Sequence, residues 1–191
     1  MKRLILTCFI SFFIFSCNSG SNNNDEELIV NPDVLSVGDE FPGFEEFLIC
    51  SNQDIVYDYS DSSKVILLSL FASWCSVCQS HVPALETLYQ EFSDQGLVVI
   101  AAGKDMGAPY TCEEWVSNFG ANYLIVNDNN NLIEQQFSAQ ESIPYNVIID
   151  KNRVIRYSAD GYDESTIRSL ITSTLAEWSL SQGRSINILE K

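Results

Sequence analysis

Residues 65–71 read Val-Ile-Leu-Leu-Ser-Leu-Phe, and only one of these side chains is polar. A strand whose two alternating faces are both apolar cannot lie on a surface. The run therefore predicts a central strand buried on both sides. It breaks at Ala72-Ser73, and Trp74-Cys75-Ser76-Val77-Cys78 follows. Val82, Leu85, Leu88, Tyr89 and Phe92 then recur at the spacing of one helix face, predicting a helix from 75 or 76 to about 93. Pro83 cannot donate to the carbonyl of Gln79, so a kink is expected there. Two cysteines three apart at a strand-to-helix junction are the pattern of a dithiol/disulfide redox pair.

The remaining elements follow from the same kind of pattern. Gly96 precedes a second apolar strand over 97–101. Thr111 and Glu114 form a capping box that opens a short helix carrying Trp115, Val116 and Phe119, ending at Gly120. Residues 123–126 read as an edge strand and 132–137 as a short helix. Two β-like runs, 145–149 and 154–157, flank a turn and predict an antiparallel hairpin. Asp163 caps a last helix with the stripe Ile167, Leu170, Ile171, Leu175 and Trp178. Runs at 47–50 and 55–57 give an earlier hairpin signal, and no internal repeat is visible. The sum is one α/β domain over 38–185, a mixed central sheet with helices on both faces and an N-terminal β-hairpin extension, then a tail over 186–191. That order puts Cys75 and Cys78 at the carboxyl end of a central strand, where open α/β sheets carry their sites.

The first residues belong to another physical class. Lys2 and Arg3 precede an apolar stretch over 4–15, too short to span a bilayer and right for the core of a signal peptide over 1–16. Ile14-Phe15-Ser16-Cys17 resembles a bacterial lipobox, in which the cysteine is acylated and becomes the mature N-terminus. The alternative is an ordinary secretory signal with an incidental Cys17. Residues 17–37, rich in Ser, Asn, Asp and Glu, read as a flexible tether. The expected location is therefore outside the cytoplasm, lipid-anchored at Cys17 to a bacterial membrane and facing the periplasm or the cell exterior. A formal charge of −16, from 10 basic and 26 acidic residues, repels phosphate backbones and argues against nucleic-acid partners.

Thiol–disulfide exchange needs a thiolate, and a helix N-terminus stabilises one through its free N–H groups and positive dipole end. Cys75 is better placed for that and is the expected nucleophile. Cys78, one turn in and expected to be more buried, is the resolving thiol. His81 shares a helix face with Cys78. As an imidazolium it would lower a cysteine pKa, and as a base it would take the proton of the resolving thiol. It is equally well read as an exposed histidine without a role. The cysteines carry the electrons, so no diffusible cofactor is called for. Cys50 and Cys112 are expected to be two unpaired, buried or half-buried thiols. A disulfide between them, or a third redox thiol at Cys112, is the alternative.

Trp74-Cys75-Ser76-Val77-Cys78, with Pro83 five residues on and Ile143-Pro144 before a hairpin strand, resembles the thioredoxin superfamily. The order from Val37-Gly38 through Phe41-Pro42, the early hairpin and the strand before Trp74 is most similar to the TlpA/ResA-like group. Those are membrane-attached extracytoplasmic thiol–disulfide oxidoreductases, and the resemblance spans about 38–180. It implies a thioredoxin-like three-layer sandwich, protein disulfide clients and a membrane thiol-reducing partner. It also implies that Pro144 is a cis-proline facing the cysteine pair, that the Ile143 backbone pairs with a bound client, and that Trp74 walls the site. Three positions depart from the pattern. Ser69 stands where thioredoxin has a buried aspartate, His81 where ResA-like proteins often have a glutamate, and Ser76-Val77 where Gly-Pro or Glu-Pro is commoner.

Three rival readings fit the residues less well. A zinc site would use Cys75, Cys78, His81 and Cys112, but a second Cys-x-x-Cys is missing. A peroxiredoxin-like peroxide reductase would need a hydroxyl three residues before the peroxidatic cysteine, where this chain has Ala72. A non-catalytic thioredoxin-like binding lipoprotein would not require both thiols.

Overall fold

The computed structural model describes residues 34–43, 50, 64–137 and 142–181, the last four by their backbone alone. The signal segment, Cys17, most of the tether, the tail and, apart from Cys50, the early hairpin lie outside the described residues.

The apolar run forms β1 (Val65–Ala72), buried along its whole length. The order continues with α1 (Ser76–Phe92), β2 (Leu97–Lys104), α2 (Cys112–Phe119), β3 (Leu124–Asn127), β4 (Tyr145–Ile149), β5 (Ile155–Asp160) and α3 (Glu164–Ser181). The sheet order is β3-β2-β1-β4-β5. β1, β2 and β3 run parallel, with Leu67 opposite Val99 and Ala101 opposite Ile125. β4 returns antiparallel to β1, and β5 antiparallel to β4. The mixed sheet expected from the sequence is present, and β1 lies at its centre for the reason its composition gives.

Strand parity divides the core. Val65, Leu67 and Phe71 face one side, where they meet Val82, Leu85, Leu88 and Phe92 of α1, Trp115 of α2, and Ile167, Ile171 and Leu175 of α3. Ile66, Leu68 and Leu70 face the other, against Phe41, Ile133 and Phe137. The helical element on that side is a single 3-10 turn, Glu134–Gln136, shorter than the helix expected over 132–137. Its approach is taken over by buried Asp128, whose carboxylate accepts from the amides of Ile133 and Glu134.

Helix ends behave as their residues dictate. The Thr111 hydroxyl accepts from the Glu114 amide while the Glu114 carboxylate accepts from the Thr111 amide, so the capping box is complete. Gly120 ends α2 in the left-handed region, at φ 68°. Asp163 accepts from the Thr166 amide at the start of α3. Pro83 lies inside α1, which is helical without interruption from Ser76 to Phe92.

One close approach supports the strand that carries the motif. Gly103 pairs with Phe71, and a Cβ there would lie 2.5 Å from Phe71 Cζ and 2.7 Å from Met106 Sδ. The Phe71 ring is held in turn by Trp115, with centroids 4.3 Å apart. Gly103→Ala should therefore destabilise the fold by about 1–3 kcal/mol through overpacking. Urea denaturation checks this, and an unchanged midpoint would mean that the ring yields freely.

Candidate active site

The site begins where β1 stops. The Cys75 amide donates to Ala72 O at 3.0 Å, turning the chain sharply. Fully buried Ser73 holds the turn. Its amide donates to Lys104 O, and its Oγ lies 2.6 Å from Asp105 O and 2.8 Å from Ala108 O. Ser73 O accepts from Gln79 Nε2 of α1. The strand end, the loop after β2 and the first turns of α1 thus meet at one residue.

Cys75 is the N-cap of α1 in an extended conformation, and the Cys78 amide donates to its Sγ at 3.1 Å. The two cysteines are bonded to each other, with Cα atoms 5.2 Å apart, so this is the oxidised pair. They are almost equally buried, at 6% and 4% exposed. Cys78, expected to be the more buried of the two, is so by a small margin. The cap position separates the two, because only Cys75 receives a first-turn amide. On reduction that amide and the positive helix end favour the Cys75 thiolate.

Trp74 and Val77 stand out beside the pair, 56% and 54% exposed. The Trp74 indole donates to Asp105 Oδ2 at 2.8 Å, which fixes the ring's edge to the loop after β2. Across the pair, the Ile143–Pro144 peptide is cis, with Ile143 half-buried and Pro144 buried. Pro144, Cys78, His81, Ser69, Trp115 and Tyr123 are among the residues around a narrow cavity with room for about one water. Cys78, His81 and Pro144 are thereby brought together around one cavity, and Trp74 is exposed beside the pair.

His81 is half-buried and stacks on Tyr162, with ring centroids 4.7 Å apart at 26°. Burial lowers its pKa below the ordinary imidazole value. It is therefore neutral at pH 7, which favours the base over the imidazolium among the expected roles. The reading of an exposed surface histidine is replaced by one packed in a stack. Tyr162, Ser73 and Asp105 were missed by sequence reasoning. Ser73 and Asp105 act through backbone geometry that no residue pattern encodes. Tyr162 precedes a helix cap, a position that signals local packing and nothing about His81.

Cys50 and Cys112 correct the expectation of unpaired thiols, because they form a disulfide with Cα atoms 4.9 Å apart. The Cys50 amide donates to Ile125 O of edge strand β3 at 2.8 Å, and the capping box starts α2 at Cys112. Those two local arrangements bring together residues 62 apart in sequence. With Cys112 so bonded, the zinc quartet considered above loses a ligand.

Residues 37–158 match the AhpC/TSA family, well over half the chain. The chain belongs to the AhpC/TSA family. Thiol-disulfide oxidoreductase ResA of Oceanobacillus iheyensis is 25% identical over 138 residues, covering 71% of this chain and 68% of that protein. The ResA of Geobacillus kaustophilus is 24% identical over 129 residues, covering 67% and 71%. Among solved structures, the thioredoxin domain of thiol-disulfide oxidoreductase BVU-2223 from Bacteroides vulgatus superposes with a TM-score of 0.58 at 15% identity, covering 72% of this chain and 99% of that one. The exposed lipoprotein thioredoxin Etrx1 of Streptococcus pneumoniae gives 0.56 at 20%, covering 68% and 98%. The fold is thioredoxin-like, and the protein is an oxidoreductase of the thiol–disulfide class.

Three outcomes follow from this geometry. Alkylation without reductant should leave Cys50, Cys75, Cys78 and Cys112 unlabelled by mass spectrometry. Replacing Cys50 and Cys112 together by Ser should cost about 2–5 kcal/mol of stability. In an NMR titration, the His81 ring should change charge below its ordinary pKa of about 6.5. Because the folded pKa is the depressed one, the His81 contribution to stability is present above about pH 6.5 and is lost as pH falls through the folded value. A midpoint at or above 6.5 would remove the case for a neutral base.

Proposed function

We propose that the protein is an extracytoplasmic, membrane-anchored protein-disulfide reductase working through Cys75 and Cys78. The observation that carries this reading is the Cys78 amide donating to Cys75 Sγ at the N-cap of α1. The Cys75 thiolate attacks one sulfur of a client disulfide, and the other client sulfur leaves as a thiolate that water protonates. His81 takes the Cys78 proton. The Cys78 thiolate then attacks Cys75 Sγ, closes the Cys75–Cys78 bond and releases the second client thiol. Two electrons pass from the pair to the client, and no diffusible cofactor is needed.

Trp74, Ile143 and Pro144 line the client side in this reading, with the exposed Trp74 and Val77 giving an apolar landing surface. Export is supported by the signal-like segment over 1–16, and anchoring by the lipobox-like residues before Cys17. A membrane thiol-reducing partner restores the dithiol after each turnover. A peroxide-reducing role is the second reading, favoured by the family match. Against it, Ala72 has no hydroxyl and the Ser73 hydroxyl is engaged with Asp105 O and Ala108 O. Fast sulfenic acid formation at Cys75 with peroxide would support that role.

Reduced protein should release two thiols from a disulfide-containing client for each pair oxidised. Cys78→Ser should trap the client on Cys75, and Cys75→Ser should abolish turnover. A Cys75–Cys78 potential near about −270 mV fits the reductase, whereas one near about −120 mV overturns it in favour of an oxidase.

A further inference from the structure

We infer that Tyr162 is a positioning residue for the resolving step, holding the His81 ring toward the cavity it shares with Cys78. This rests on the reading that His81 accepts the Cys78 proton. Tyr162 lies on the short connection between β5 and α3, and three contacts fix that connection. The Gly161 amide donates to Pro144 O at 2.8 Å, fully buried Asn146 donates through Nδ2 to Gly161 O at 2.6 Å, and Asp163 caps α3. Gly161 sits at φ 74°, a turn that a side chain would strain. The ring of Tyr162 is thus held on a short, anchored segment against His81.

His81 needs such a support. Along α1 it lies between exposed Ser80 and buried Val82, at the border of the helix's buried face, so without a partner the imidazole can turn toward water. In the stack, His81 Nδ1 is buried with no partner among the described residues, and so is Trp115 Nε1. Both residues border the one-water cavity that Cys78 also borders. The His81 ring, the Trp115 indole and the resolving cysteine therefore surround a space in which a single water can pass a proton. Other titratable groups around the stack are Glu86 on α1, Tyr123 before β3, and Glu164 and Arg168 on α3. Burial and Glu164 push the Tyr162 phenol up while Arg168 opposes them, so the ring stays neutral beside His81. The connection that carries Tyr162 hangs from Pro144 O, so it also joins the proposed client strand to the proposed base.

The test uses reduced protein and the probe 5,5′-dithiobis(2-nitrobenzoic acid). Attack by Cys75 releases one thionitrobenzoate, and attack by Cys78 on the mixed disulfide releases the second. Tyr162→Ala should leave the first release unchanged and slow the second about tenfold near pH 7, part of what a general base supplies. Its second-phase pH profile should move up toward that of His81→Gln, and its His81 pKa by NMR should return toward the ordinary value. Tyr162→Phe, which keeps the ring, should behave as wild type. If Tyr162→Ala does not fold, Tyr162→Leu replaces it, filling volume without a flat face. A second phase slowed in His81→Gln but unchanged in Tyr162→Ala and Tyr162→Leu overturns this inference alone. A second phase unchanged in His81→Gln overturns the His81 base as well.

Discussion

The geometry of the redox pair depends on the hydrogen bonding of Ser73. A buried hydroxyl is costly unless it is satisfied, and this one lies against the carbonyls of Asp105 and Ala108. Satisfying it fastens the loop after β2 to the end of β1. Asp105 is then in the left-handed region, at φ 54°, with its carboxylate reaching the Trp74 indole. Ser73 O in turn accepts from Gln79, one turn into α1. With both ends of the turn held, Cys75 lies at the N-cap of α1. Losing the hydroxyl would remove this tie between the turn and the loop after β2, at a cost of about 0.5–1.5 kcal/mol for a hydrogen bond, in the place where the cysteines are aimed.

A second consequence comes from parity on β1. Val65, Leu67 and Phe71 point to the helices, and Ser69 lies on the same face, opposite Asn146 in register. A small polar residue at that point leaves space under Cys78 in place of apolar packing. In the thioredoxin pattern an aspartate stands on the strand there. In this chain an imidazole borders the space from the helix instead, that of His81, and Tyr162 stacks on it. Moving the group from strand to helix makes its orientation depend on a neighbour, because a helix flank leaves an imidazole free to rotate.

This division explains what the sequence could and could not disclose. β1, β2, the hairpin of β4 and β5, and the helix stripes follow from period and turn residues, and the Thr111–Glu114 box was readable to the atom. These are local properties. The Cys50–Cys112 bond was not readable, since it follows from Cys50 docking on the edge of β3 while α2 begins nearby. The turn at Glu134–Gln136 was overread as a helix because its apolar spacing is helical. Asp128, six residues upstream of Glu134, captures the amides that a longer helix would have used. The Tyr162–His81 stack joins a loop to a helix through a sheet connection, and no spacing rule spans that.

Electrostatics around the pair bear on the proposed direction of electron flow. A dithiol becomes a strong oxidant when its reduced form is stabilised, chiefly by cations and amides that favour the thiolate. Here one first-turn amide reaches Cys75 Sγ, and the helix end adds its dipole. Nothing stronger is supplied by α1, which contains no Lys or Arg. His81 is held neutral by burial, and the charge nearest Trp74 in the turn is the carboxylate of Asp105. An anion on that side works against a thiolate at Cys75. Lys104, at the end of β2, is tied to Glu134 at 2.6 Å, so its charge is spent on the far side of the sheet's end. Among the described residues the stabilisation of the Cys75 thiolate is what a helix N-terminus gives, and the proposed electron donation to clients agrees with that.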